Sequence, residues 1–226
     1  MRMICRVVLV FGLAALVATP TFAQRQRGQQ QRGQRGQGGQ GGVGALLQNE
    51  SVQKELKIDK EQADKVKEAV QKVREKHRDE FAKLRDLGQD ERRAKTQELN
   101  RVVAEETLQA VGDILKPEQL KRLKQIDLQQ AGAQAFNRPD VQKALSLTDE
   151  QKEKVKTIND DAAKEMRDLR QGGNAQGNRE KIAALRKETM EKIQSVLTDE
   201  QKKTLKELAG APFQIAATPR RRANNQ

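Results

Sequence analysis

The chain has 226 residues, of which 34% are charged and 2% aromatic, with no Trp or Tyr. A composition this poor in large apolar and strand-forming residues excludes an aromatic-rich core and a β-sheet, and favours helices with narrow aliphatic stripes and charged outer faces. The formal net charge of +12 sits mainly at the ends: two arginines in 1–23, four in 24–42 and three at 220–222 leave only about +3 for the body.

Residues 1–23 open with a basic segment carrying Arg2 and Arg6, continue with an apolar run from Val7 to Ala18, and close on Thr21-Phe22-Ala23. The run is shorter than the roughly 20 apolar residues a membrane span needs. A cleaved secretory signal fits it better than an uncleaved anchor, and predicts an exported, periplasmic protein. Cys5, the only cysteine, precedes the apolar run and leaves with the leader. The mature chain then has no thiol for a disulfide, a catalytic thiolate or a metal site.

Residues 24–42, QRQRGQQQRGQRGQGGQGG, hold no acid and nothing apolar to bury, which predicts a disordered linker. Its Arg25, Arg27, Arg32 and Arg35, with Arg220, Arg221 and Arg222 of a second disordered basic tail at 211–226, are candidate ligands for a polyanion or an anionic membrane surface. A solubilising spacer is the alternative reading. An exported chain gives these arginines no specific nucleic-acid partner.

Between the tails the sequence repeats itself. Residues 52–67, VQKELKIDKEQADKVK, align without gaps on 141–156, VQKALSLTDEQKEKVK, with nine identities in sixteen positions. Leu84-Arg85-Asp86-Leu87 then matches Met166-Arg167-Asp168-Leu169, and LKPEQLKRLK at 115–124 matches LTDEQKKTLK at 197–206. Val66 to Leu84 spans 18 residues and Val155 to Met166 only 11. The seven-residue difference is close to two helical turns, which keeps the same face inward with about 20° of drift.

Apolar spacing predicts the same elements. One stripe runs Ile58, Gln62, Val66, Val70, Val73, His77, Phe81, Leu84, Leu87, and its counterpart runs Leu147, Gln151, Val155, Ile158, Ala162, Met166, Leu169. Breakers follow at Gly88 and at QGGNAQGN (171–178), and then second stripes at Leu99, Val102, Val103, Ala110 and Ile114, and at Ile182, Leu185, Ile193 and Val196. The expectation is an all-α protein of two tandem antiparallel helical hairpins, 43–137 and 138–210.

Four sites share an aliphatic-x-x-Glu-Gln pattern: IDKEQ at 58–62, LKPEQ at 115–119, and LTDEQ at 147–151 and 197–201. Thr148 and Thr198 are N-cap residues, and Gln151 and Gln201, at the third helical position, can reach back to the N-cap amide to complete a capping box. Asp59 is an acceptable N-cap for the box with Gln62. Lys116 has no side-chain acceptor, but Pro117 suits the first helical position before Gln119. The aliphatic members are Ile58, Leu115, Leu147 and Leu197. Capping accounts for the motif by itself; a second role as a packing joint between hairpins is the alternative.

Two LTxxQ motifs flanking a helical hairpin, after a signal peptide, resemble the periplasmic LTxxQ family that includes the chaperone Spy and the envelope-stress regulator CpxP. The resemblance is best over 140–210, through Leu147-Thr148, Gln151, Leu197-Thr198 and Gln201, and looser in the first copy, where Asp59 and Lys116 replace threonine. It implies an ATP-independent chaperone or envelope-stress factor that holds unfolded or partner proteins, with a sensor-regulator role in the same family. Members pair as cradle-shaped dimers, so the duplication implies a monomeric pseudo-dimer or a homodimer. Stripe residues Val155, Ile158, Met166 and Leu169 are the candidate client-binding positions. A structural adaptor tethered through the arginine tails is the alternative from the residues themselves.

No enzyme is expected. His77, the only histidine, falls on the inward stripe between Val73 and Phe81, without a nucleophile or orienting group at catalytic spacing. One histidine without cysteine does not make a zinc site, and the His-rich segments of zinc-binding family members are missing. The carboxylates alternate with lysine and arginine as solvated i,i+4 pairs such as Glu61–Lys65, Glu68–Lys72 and Glu150–Lys154. No cofactor is expected.

Overall fold

A computed structural model describes residues 42–171 and 177–216, which belong to one compact unit. Residues 1–41, 172–176 and 217–226, which hold the expected leader, all but the last residue of the expected linker, part of the glycine-rich breaker and Arg220 to Arg222, lie outside the described residues. The fold is all-α, with no strand among the described residues. Its α-helices are α1 Val43–Leu46, α2 Glu50–Glu55, α3 Lys60–Lys76, α4 Arg78–Lys83, α5 Gln89–Gly112, α6 Pro117–Ala131, α7 Pro139–Ala144, α8 Asp149–Gln171, α9 Gly177–Val196 and α10 Asp199–Ala209. Short 3₁₀ segments follow α4 at Leu84–Asp86 and α6 at Gly132–Asn137.

Helices α3 and α5 pack antiparallel: Gln62 at the start of α3 meets Ile114 just beyond α5, and Lys76 at the end of α3 meets Glu106. Helices α8 and α9 do the same, with Gln151 against Val196 at one end and Leu169 accepting from Asn178 at the other. In each half a short helix precedes the long one through the same local geometry. The Ile58 amide bonds back to Gln53 C=O, and the Leu147 amide to Gln142 C=O, both at 3.0 Å. These bonds close a helix C-terminus over a left-handed residue, Lys57 (φ 53°) or Ser146 (φ 51°), and turn the chain into the next cap.

Two cores fill the halves. Val43, Leu46, Leu47, Val52, Leu56, Val66, Val70, Val111, Leu115, Leu123 and Ile126 make the first. Ala135, Phe136, Val141, Leu145, Leu147, Val155, Ile193 and Leu197 make the second. The repeat begins earlier than its sequence identities do. Residues 132–137, read above as the end of the first copy, contribute Ala135 and Phe136 to the second core, in the register of Leu46 and Leu47 in the first. Gln53 Nε2 donates to Leu47 C=O at 2.7 Å and Gln142 Nε2 to Phe136 C=O at 2.9 Å, the same bond in both halves. The boundary moves from 138 to 132 because burial and backbone bonding persist where side-chain identity does not.

Two further expectations change. The first copy's longer helix is not continuous. It stops at Lys76, passes through His77 (φ −98°, ψ 7°) and resumes as α4, so part of its added length is a broken extension. Residues 211–216, assigned to the disordered tail, instead form a strap across the first half. Phe213 and Ile215 pack on the first core, the Phe213 amide donates to Gln129 Oε1 at 2.8 Å, and the Ala216 amide to Ser51 Oγ at 3.2 Å. The Arg122 guanidinium donates to Ala211 C=O at 2.8 Å, pairs with Glu55 at 2.7 Å, and lies 6.0 Å from the centre of the Phe213 ring. Two apolar side chains and these hydrogen bonds offset the entropy of ordering the strap.

The strap leaves α10 at Gly210, whose φ of 63° and ψ of −159° favour glycine, with the Gln125 amide group within 2.5 Å of where a Cβ would stand. Gly210→Ala is expected to lower unfolding free energy in chemical denaturation by on the order of 1–3 kcal/mol. Gly112→Ala, at the end of α5 with nothing within 4 Å of its added Cβ, leaves it unchanged or raises it by up to about 1 kcal/mol.

Candidate functional site

The four aliphatic-x-x-Glu-Gln motifs meet in pairs, one pair in each half. Around the first pair, Asp59 Oδ1 accepts the Gln62 amide proton at 2.8 Å, and Gln62 Oε1 accepts from the Asp59 amide at 3.4 Å. Lys116 offers no acceptor, so only the reverse bond forms there, from the Lys116 amide to Gln119 Oε1 at 2.8 Å. In the second half Thr148 with Gln151 and Thr198 with Gln201 make complete boxes, with bonds between 2.9 and 3.2 Å. The aliphatic members lie beneath these caps: Leu115, Leu147 and Leu197 are buried and Ile58 is half-buried.

Each glutamine then uses its amino group across the pair. Gln62 Nε2 donates to Gln119 Oε1 and to Ile114 C=O, both at 3.0 Å. Gln119 Nε2 returns to Gln62 Oε1 at 3.3 Å and to Leu56 C=O at 2.9 Å. Gln151 and Gln201 repeat the arrangement, with amide-to-amide bonds of 2.8 and 2.9 Å and further bonds to Val196 C=O (2.9 Å) and Ser146 C=O (3.4 Å). Every oxygen thus accepts twice and every amino group reaches at least two acceptors, Gln119 Nε2 lying also 3.3 Å from Lys57 C=O, so the capacity of each primary amide is filled. The alternative role as a joint is therefore realised within each half, where it ties the start of the long helix to the start of the last helix, and not between the halves. Glutamate would cap as well but would bring two carboxylates face to face. The signal was in the sequence: all four motifs have Gln, never Glu, at this position.

His77 is 5% exposed at the break between α3 and α4. Its Nε2 lies 3.0 Å from Glu106 and its Nδ1 3.1 Å from Glu80, while Lys76 pairs with Glu106 at 2.9 Å. Hydrogen bonds to Glu106 and then to Glu80 raise the imidazole above its usual value, and hydrogen bonds from Lys76 and then His77 hold Glu106 below the usual carboxylate range. The arrangement is an ion-paired brace at a helix break, without a nucleophile. Among the described residues no three His, Cys, Asp or Glu side chains gather as a metal site requires.

The second half carries buried polar groups that apolar periodicity does not reveal. Asn159 is 2% exposed. It donates to Ala133 C=O at 3.1 Å and to Asn137 Oδ1 at 3.2 Å, and accepts from Gln134 at 3.2 Å. The corresponding first-half residue, Val70, packs against Gly44. Thr107 and Thr189 are buried at matching positions of α5 and α9. Aligning the two copies across EETL (105–108) and KETM (187–190) exposes that pair; a hydropathy stripe does not.

The four candidate client-binding residues separate. Val155 is fully buried in the second core and presents no surface, so it leaves the candidate set. Ile158 is half-buried against the same core, and Leu169 is half-buried near the end of α8. Met166 lines an open groove of about 960 Å³ between α6 with its 3₁₀ extension on one side and α8 with α9 on the other. Met190 joins it there, with Ala162, Ala163 and Thr189. Arg93, Arg167, Arg170, Arg186 and Lys187 surround these residues, and no carboxylate is among the lining residues. A second groove of about 530 Å³, between α6, α7 and α10, is floored by Leu108, Leu120, Leu128, Val141 and Leu208, with charges of both signs at its rim. Arg25, Arg27, Arg32, Arg35, Arg220, Arg221 and Arg222 lie outside the described residues.

No protein-family model matches the chain, and neither a curated protein nor a solved structure is detectably similar to it. Among the described residues no helix is long and apolar enough to cross a membrane.

The His77 brace sets a pH dependence. Because the folded imidazole is raised, its stabilisation is complete below about pH 6.5, the unfolded value, and is lost as pH rises through the folded value. The melting temperature of the unmodified chain should exceed that of His77→Gln by roughly one to a few degrees near pH 6. The gap should narrow as the pH is raised further, read by circular dichroism.

Proposed function

We propose that this is an exported helical binding protein, similar to the periplasmic LTxxQ family in motif and export signal, that holds unfolded or partner proteins without ATP. The observation that carries the reading is the groove containing Met166 and Met190. Thioether side chains are flexible and polarizable, so they accommodate different apolar side chains without repacking the walls. The walls themselves are held by the glutamine pair at one end of the second half and by the Asn159 network beside Ala133. An adaptable floor between fixed walls suits weak, repeated contact with many sequences better than one tight ligand.

A second reading, an adaptor tethered to an anionic surface through the arginine segments, draws support from the strap. Val43 and Ile215, close to the two ends of the described chain, both pack on the first core, so both arginine segments attach to the same half.

One assay separates the two. The mature chain, at near-stoichiometric ratio, is expected to suppress light scattering from an aggregating unfolded client, and a chain lacking 24–40 and 217–226 should suppress it equally well. Absence of suppression by the mature chain rejects the holding reading, and suppression that vanishes with the tails favours the adaptor.

A further inference from the structure

The groove's charge narrows what it holds. We infer that the groove between α6 and the α8–α9 pair is a docking site for an acidic amphipathic peptide segment, one that presents a large apolar side chain between carboxylates. This rests on the holding reading and names the partner chemistry of the same site.

The cations come from three separate helices. Arg93 stands near the start of α5, Arg167 and Arg170 on α8, and Arg186 with Lys187 on α9. Some exposed charges on this chain are matched within their own helix, as in Lys65–Glu61 and Lys154–Glu150, and so are two of the groove cations, Arg93 with Asp90 at 4.0 Å and Lys187 with Glu191 at 3.8 Å. Arg167, Arg170 and Arg186 have no hydrogen bond or ion pair among the described residues; other cations of the chain share that, but these three line one groove with no carboxylate in its lining. Three unmatched guanidiniums around one concavity, in a body whose net charge is only about +3, form a local positive field with a low-dielectric floor. A guanidinium binds carboxylate through two parallel N–H donors, so each offers a directional contact as well as charge. Met166 and Met190 line the same groove and supply the apolar contact.

The same complementarity excludes the other occupants. The chain's own ends are arginine-rich and acid-free, so the groove repels them. A bilayer surface is flat and reaches only the rim of a concave site, leaving the methionines uncovered. The smaller groove between α6, α7 and α10 has Asp140 and Glu207 beside Lys121, Lys124 and Arg138 and shows no such preference.

The test uses the full mature chain and two labelled helical peptides of identical apolar pattern, one flanked by Glu and Asp and the other by Lys, followed by fluorescence anisotropy. The acidic peptide is expected to bind, weakening as salt rises, and the basic one is not. Arg167 and Arg186 are exposed, so Arg167→Glu with Arg186→Glu leaves the fold intact by circular dichroism. That pair should weaken the acidic peptide at least about tenfold. Reversing Arg220, Arg221 and Arg222 together should change its binding less than about twofold. Equal binding of the two peptides, or acidic-peptide affinity unmoved by the groove reversals, overturns the proposal. Anionic vesicles that bind the chain and lose it on the same reversals also overturn it, since the partner is then a lipid surface. Failure of aggregation suppression with acidic-peptide binding intact sinks the holding reading and leaves the site standing.

Discussion

The reciprocal bond between two glutamine amides is the constraint from which the rest of each half follows. A helix start leaves backbone donors without partners, and the N-cap with its returning glutamine satisfies part of that need. Here the glutamine that completes the cap still has an amino group to place, and places it on a second helix start. The cap becomes a joint, and it locks three things together: the end of the short helix, the start of the long one and the start of the last one. Leu56 and Ser146, whose carbonyls accept from Gln119 and Gln201, sit at the chain reversal that precedes each long helix. Moving either helix by one residue would leave mostly part-buried donors and acceptors unpaired, at up to about 1–3 kcal/mol each. The joint therefore fixes register as well as contributing stability.

With both halves locked in this way, their differences lie in what covers them. The first half receives the strap, and Leu123 and Ile126 of α6 are completely buried. Their counterparts in α10, Leu205 and Leu208, are half-buried, and among the described residues the strap 211–216 packs on the first core. The second half also exchanges an apolar contact, Val70 on Gly44, for the hydrogen-bonded group around Asn159. The open groove lies beside that group, shared by α6, α8 and α9. Duplication supplied two equivalent halves; the strap closes one and leaves the other with an accessible, cationic face.

Much of this was legible in the residues. Helix type and caps came through because aliphatic spacing and Thr-x-x-Gln chemistry are local, and both survive without tertiary information. Three features were not legible, each for a physical reason. The repeat start at 132 is masked because Leu46-Leu47 and Ala135-Phe136 share burial and backbone geometry but no residue identity. The ordering of 211–216 depends on two apolar residues, Phe213 and Ile215, in a segment whose charge and proline content resemble a tail. Val155 and Met166 lie on one periodic stripe, yet one is fully buried and the other faces a groove. Periodicity assigns a face of a helix; depth along that face is set by the neighbouring helix, about which the stripe is silent.

The glutamine joint is tested most directly by a double-mutant cycle on Gln151 and Gln201, read as unfolding free energy in chemical denaturation. Gln151→Ala alone strands the amide of its partner, as does Gln201→Ala, so each single change should cost more than half of what the pair together costs. The account predicts a coupling of roughly 1–2 kcal/mol between the two positions. Costs that add, with no coupling beyond experimental error, would mean that each glutamine merely caps its own helix, and would contradict the joint.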